Sequence, residues 1–119
     1  MKITDVKVHI LQSKLEQPFA FSQGWVRVRS ATIVEIHTDA GLIGWGEAFT
    51  QGLESPQIAA STIEYSLKPL VLGENPKNVE VLWHSMYNQT RDFGRKGSVM
   101  AAISGIDIAV WDILGKFYQ

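Results

Sequence analysis

The segment from Ser98 to Gln119 constrains this chain more than any other part of it. Val99, Ala102, Ile103, Ile106, Val110, Ile113, Leu114 and Phe117 recur at helical spacing, while Ala101, Gly105, Ile108, Ala109 and Trp111 widen that stripe around the cylinder. A helix apolar on nearly every side has to be buried on several of them. Everything upstream must therefore supply partners for it, and the upstream sequence offers only three strands and two other helices, too few to cover it. Lys116-Phe117-Tyr118-Gln119 also comes after Gly115 with no terminator and no polar tail. The sequence accordingly reads as the front part of a longer protein, with this helix docked on the portion downstream of it.

Upstream, the apolar period is two. Val6, Val8 and Ile10 alternate with Asp5, Lys7 and His9 in a strand expected over Ile3 to Leu15. Val26, Val28, Thr32, Val34 and Ile36 alternate with Arg27, Arg29, Glu35 and His37 in a second. Thr38-Asp39-Ala40-Gly41 is a turn whose glycine can take positive φ, and Leu42 to Ala48 returns as a third strand. These runs predict a three-stranded antiparallel meander, with Glu16 to Trp25 expected as a long loop between the first two strands.

After Gly52 the spacing changes to three and four. Ser55-Pro56 offers an N-cap and a proline at the first helical position, and Ala59, Ile63, Leu67 and Leu70 line one face, with Pro69 expected to end or kink the helix near Lys68. Val79, Leu82, Trp83, Met86 and Tyr87 mark a second amphipathic helix after Asn75-Pro76. Thr90 to Gly97 reads as a polar loop carrying Arg91, Arg95 and Lys96. The fold class is α+β: a meander followed by a helical bundle, in one domain.

With 11 Lys+Arg against 12 Asp+Glu, the net charge of −1 argues against a nucleic-acid binder held by phosphate contacts. The absence of cysteine removes thiolate zinc sites, disulfides and a Cys nucleophile, and fits a reducing compartment. No uninterrupted apolar run approaches the roughly 20 residues of a membrane span, and Met1-Lys2-Ile3-Thr4 opens directly into strand-like sequence, so a cytoplasmic protein without membrane partners is expected. Gly41, Gly44 and Gly46 do not make a dinucleotide loop, because they come after a turn and lie on a strand rather than opening a helix. Asp107 and Asp112 stand about 140° apart on a helix and cannot easily share an ion. Asp112 is instead spaced to pair with Lys116, and Asp107 to accept a hydrogen bond beside Trp111. His9, His37 and His84 lack metal-motif spacing, and no Ser/His/Asp triad context exists. The aromatic stretch Gln17 to Trp25 stands out, because exposed segments rarely carry three aromatic rings unless they cover the domain's own sheet or a ligand.

Four pieces together carry a resemblance: KITDVKVHIL at residues 2–11, TDAGLIGWGEA at 38–48, LKPLVLGENP at 67–76 and AAISGIDIAVWDILGK at 101–116. The chain resembles, over essentially its whole length, the amino-terminal capping domain of the enolase superfamily, nearer the mandelate racemase and muconate-lactonizing branch than enolase itself. That resemblance implies a capping domain over residues 1–119, with 99–119 leading into a catalytic (β/α)8 barrel absent from this chain. It implies an enzyme that binds a small carboxylate substrate to Mg2+ and removes the proton α to the carboxylate. The metal and the catalytic bases would lie on the barrel, so this chain alone would hold neither and be inactive. The partners implied are the chain's own C-terminal barrel and further copies in a homo-oligomer.

In such enzymes two capping-domain loops close over the barrel mouth and shape substrate choice. By position, those loops match Pro18 to Trp25 and Ala48 to Leu53. The expected substrate-proximal residues are Phe19, Phe21, Ser22, Trp25, Phe49, Thr50 and Gln51, joined by Arg95 and Lys96 for an anionic group. An aromatic wall mixed with hydrogen-bonding side chains suits a hydroxylated acid, so dehydration of a sugar acid is the first expectation. The alternatives are a racemase, cycloisomerase or epimerase of the same superfamily, or a noncatalytic module that binds a small acid or a partner.

Overall fold

The computed structural model describes every residue from Met1 to Gln119. Strands β1 (Ile3–Phe21), β2 (Gly24–Thr38) and β3 (Ile43–Ala48) form an antiparallel sheet in the order β1-β2-β3. They are succeeded by α1 (Pro56–Ser61), a π-helical turn (Thr62–Leu67), α2 (Lys68–Val71), α3 (Val79–Thr90) and α4 (Ser98–Phe117). The expected meander and the α+β class are both present.

The loop expected over Glu16 to Trp25 is instead the end of a hairpin. β1 runs to Phe21, only Ser22 and Gln23 turn, and Ala20 pairs with Trp25. Pro18 suggested a loop because it cannot donate to a ladder. It lies within a register shift between Lys14 and Phe19 on the outermost strand, where no ladder bond is lost. β3 pairs only with Thr32–His37, so the distal half of the hairpin projects beyond the third strand.

The first helix also differs in detail from expectation. Pro56 occupies its first turn, but Ser55 makes no capping bond and its hydroxyl meets the Gln57 side chain. Pro69 does not end the helix. The turn before it widens, so that the Lys68 N–H donates to the Ile63 carbonyl five residues back, and the helix continues to Val71. A π turn of this kind lets the chain accommodate a proline that lacks its own donor.

One apolar face of the sheet, carrying Val6, Val34 and Ile36, is covered by Ile63, Leu67, Met86, Ile103, Ile106 and Ile113 from the helices. α4 is the centre of that core, with Ala102, Ile103, Gly105, Ile106, Ala109, Val110, Ile113 and Leu114 buried. Length and hydropathy alone would let α4 cross a membrane, but this face is already committed to the sheet.

The helix backbone rests directly on β3. A Cβ added to Gly46 would lie 2.1 Å from the Gly105 carbonyl oxygen, and one added to Gly44 would lie 2.1 Å from that of Ala109. Only glycine permits this approach, which explains the two glycines flanking Trp45. α4 also satisfies the free edge of β3. Asp112 Oδ2 accepts from the Trp45 N–H at 2.9 Å, and Lys116 Nζ donates to the Ile43 carbonyl at 2.8 Å and to Asp112 at 2.5 Å. The expected i,i+4 pair is therefore present and has a second role, that of a neighbouring strand. Asp107, by contrast, has no hydrogen-bond partner, and partial burial pushes its carboxyl up.

Gly46→Ala is expected to cost about 3 kcal/mol by urea denaturation, since backbone and not a flexible side chain blocks the added methyl. Gly41→Ala has open space but a φ of 77° and should cost only about 1 kcal/mol. The close-contact account fails if Gly46→Ala proves the milder change. A second expectation concerns acid. The Lys116 ammonium, and after it the Trp45 N–H, holds the Asp112 carboxyl below its ordinary value of 3.8. Its contribution is thus complete above the unfolded value and is lost as pH falls through the lower folded one. The pair is about one-third exposed, so it contributes about 1 kcal/mol or less. Asp112→Asn should flatten the acid limb of stability against pH, and an unchanged slope would remove the pair from the account.

Candidate functional site

Three connections carry the candidate residues. The first is the β1–β2 hairpin tip, where Phe19, Phe21, Ser22 and Trp25 sit. The second joins β3 to α1 and carries Phe49, Thr50 and Gln51. The third joins α3 to α4 and carries Arg95 and Lys96. The residues expected from sequence to face substrate all lie on these three pieces.

Direct contacts join the pieces. Gly52 lies under Val26, and a Cβ there would come within 2.6 Å of Val26 Cγ2. Leu53 Cδ1 faces Gly24 across the hairpin tip at 3.4 Å from the position of an added Cβ. At the other end of the segment, the Glu54 carboxylate accepts from the Ser98 hydroxyl at the start of α4. Hairpin, segment and helix start are therefore linked in series, although they are far apart in sequence.

Within this framework the aromatic side chains stay open. Trp25 is 59% exposed and Phe49 69% exposed, and Phe19 and Gln51 are exposed as well; by the alternation of β2, Trp25 lies on the face of the hairpin opposite Val26, which packs on Gly52. Phe21 is half-buried and Ser22 exposed in the turn. Thr50 is half-buried, with its hydroxyl 3.4 Å from Thr32 Oγ1 and 3.5 Å from the Ala48 carbonyl, which makes it a brace for its segment. Arg27 lies over the Trp25 ring at 5.9 Å and Arg29 over Phe19 at 5.2 Å, so two of the hairpin's three rings are paired with a cation. Arg95 adopts φ 40°, a conformation uncommon for a side-chain-bearing residue, and lines an open cleft with Arg91 and Asp92. Lys96 is exposed beside it.

Sequence reading missed two features. Glu54 and Ser98 are separated by 44 residues, and no local spacing announces their bond. On the outer face of the sheet, Glu35 accepts from His9 Nε2 at 2.6 Å on one oxygen and from His37 Nε2 at 2.5 Å on the other. The His9 bond, and after it the His37 bond, holds the Glu35 carboxyl below its usual range. The alternation of β2 places Glu35 and His37 on one face, but only the strand register brings His9 to them. The two rings meet opposite oxygens of a single carboxylate. No group of three His, Asp or Glu side chains is arranged to hold a metal ion, so this chain's residues do not fit Mg2+, which favours several oxygen ligands.

A second exposed surface lies along α4, away from the sheet. Trp111 is 57% and Ile108 49% exposed, and Trp111 and Leu114 line a groove with Val81 and Lys77 at the start of α3. This is the uncovered girth that the helix pattern required.

Comparison with known proteins agrees with this architecture. Residues 3–119 match the family described as mandelate racemase / muconate lactonizing enzyme, N-terminal domain. The chain is 37% identical over 118 residues to D-galactarolactone cycloisomerase of Agrobacterium fabrum, covering 99% of this chain and 30% of that protein. It is 47% identical over 83 residues to arabinonate dehydratase of Saccharolobus solfataricus, covering 69% of this chain and 21% of that one. A crystal structure of a racemase from Streptomyces coelicolor with bound magnesium superimposes with a TM-score of 0.92 at 25% identity, covering 98% of this chain and 33% of that chain. The chain thus spans about a third or less of the length of each of these proteins.

Gly52→Ala should drive the segment off Val26 and loosen the hairpin tip. Hydrogen exchange at Ser22–Val26 is expected to rise while the centre of α4 stays protected. Unchanged exchange at the tip would mean that the Gly52–Val26 contact does not hold it.

Proposed function

Because the chain belongs to the mandelate racemase / muconate lactonizing enzyme family through its N-terminal domain, we propose that it caps a (β/α)8 barrel and closes over a small carboxylate substrate. The observation that carries this reading is the meeting of the hairpin tip and the 49–54 segment at one end. Gly52 and Leu53 brace the two pieces together, and Trp25 and Phe19 on the hairpin and Phe49 and Gln51 on the segment stand exposed. Rings left in water on a rigid support favour a site that closes against a second surface. The uncovered α4 face with Ile108 and Trp111 supplies an apolar surface for that barrel.

The substrate in this reading is a sugar acid and the reaction its dehydration. Aromatic walls exclude water, while Gln51, Ser22 and the Arg95–Lys96 loop offer hydrogen bonds and positive charge to hydroxyl and carboxylate groups. Two of the similar proteins bear the names of an arabinonate dehydratase and a galactarolactone cycloisomerase, which supports a sugar-derived acid. The Mg2+ expected of the family would be held by the barrel, and the part played by this chain is to bind, orient and exclude water. Similarity to a racemase of closely matching fold keeps racemisation as the second reading.

The test uses the polypeptide that carries this domain with its barrel. In deuterated buffer containing Mg2+, a panel of aldonates, sugar lactones and N-acyl amino acids is monitored for α-proton exchange and loss of water. Dehydration of an aldonate is the expected result, and exchange confined to N-acyl amino acids would overturn the sugar-acid reading. Trp25→Ala and Gln51→Ala should each shift relative kcat/KM across the panel by about tenfold without changing the Mg2+ requirement. Unchanged substrate ranking in both variants would remove these residues from the site.

A further inference from the structure

The 49–54 segment leaves the sheet at Ala48 and must present Phe49 and Gln51 without collapsing onto the hairpin. Its beginning is braced by Thr50 on Thr32, and its middle by Gly52 on Val26. Its end depends on Glu54. The Glu54 N–H donates to the Gln51 carbonyl at 2.8 Å, and Glu54 Oε2 faces the Gln51 N–H at 3.4 Å. These two contacts close a four-residue turn around the exposed Gln51. The other carboxylate oxygen, Oε1, accepts from the Ser98 hydroxyl.

The Ser98 end of that link is well suited to an acid. α4 has no acidic residue in its first turn and no side-chain cap of its own, so its first N–H groups present uncompensated partial positive charge. Glu54 brings a negative charge to that end from a different part of the chain. α4 is in turn held against the sheet through Gly44, Gly46 and Gly105. The carboxylate therefore fastens the segment to the most firmly seated element of the fold.

We propose that Glu54 is a positioning residue for the substrate site: through Ser98 it sets the placement of Phe49 and Gln51 without itself touching substrate. This rests on the reading that the segment walls the site. A group that only places a binding wall acts equally on the ground and transition states, so its loss raises KM and leaves kcat nearly unchanged.

The experiment compares Glu54→Ala, Glu54→Gln and Ser98→Ala in the polypeptide that carries this domain with its barrel, using arabinonate as the probe. Glu54→Ala should speed hydrogen exchange of the Gln51–Glu54 amides and raise KM by about tenfold, as expected for loss of a hydrogen bond to a charged group, with kcat within twofold. Ser98→Ala should do the same. Glu54→Gln keeps one accepting oxygen for the Ser98 hydroxyl but neither the charge at the start of α4 nor a second acceptor for the Gln51 N–H, so it should fall between Glu54→Ala and the parent in both readouts, which a loss of fold would not allow. Unchanged exchange in Glu54→Ala overturns the inference. Faster exchange with KM unaltered also overturns it, and the Trp25 and Gln51 variants then identify the fault. If they shift KM, the site reading stands and only the role of Glu54 falls. If they do not, the site reading has failed as well.

Discussion

The seating of α4 on β3 is the constraint on which the rest of this structure depends. Two strand glycines and one helix glycine let backbone meet backbone, with no room for a single added methyl at Gly44 or Gly46. Helices normally stand off a sheet by the length of their side chains, so contact this close fixes the helix in both position and rotation. Once that rotation is set, Ile103, Ile106, Val110 and Ile113 fall into the core, and Ile108 and Trp111 are turned outward. The same rotation carries Asp112 and Lys116 to the free edge of β3, where they take the place of a fourth strand.

That placement also determines what happens at the far end of the helix. Ser98 begins α4, so wherever the helix is seated the Ser98 hydroxyl is seated with it. Glu54 reaches that hydroxyl and connects the 49–54 segment to the core, and Gly52 and Leu53 connect the same segment to the hairpin tip. The exposed aromatic residues are thus carried by a series of contacts that starts in the most buried part of the molecule. In such an arrangement side chains on the connections can change while the framework that aims them does not.

The molecule presents two unlike surfaces. One end offers rings, amides and cations on short braced connections. The side of α4 offers Ile108 and Trp111 with few polar groups, together with Asp107, whose carboxyl finds no partner and is pushed up by burial. The first surface is the one proposed to wall the substrate, and the second the one proposed to meet the barrel.

Much of this was written in local sequence. The alternation of Val34 and Ile36 with Glu35 and His37, the change of period after Gly52, and the broad apolar stripe from Val99 each arise from which side chains can share a face, a property of neighbouring residues alone. The Asp112–Lys116 pair was legible for the same reason. The sequence could not tell that Pro18 would fall in an irregularity of an outer strand, that the turn before Pro69 would widen, or that Glu54 would find Ser98. Nor could it show His9 joining Glu35 and His37. Those outcomes depend on register, on which backbone groups have partners across the sheet, and on contacts between residues tens of positions apart. Local sequence determined the elements and their apolar faces, because steric and hydrophobic periodicity act over a few residues. Tertiary structure alone decided which polar groups meet and how the loops are held, because hydrogen bonds form between whatever groups the packed core brings within about 3 Å.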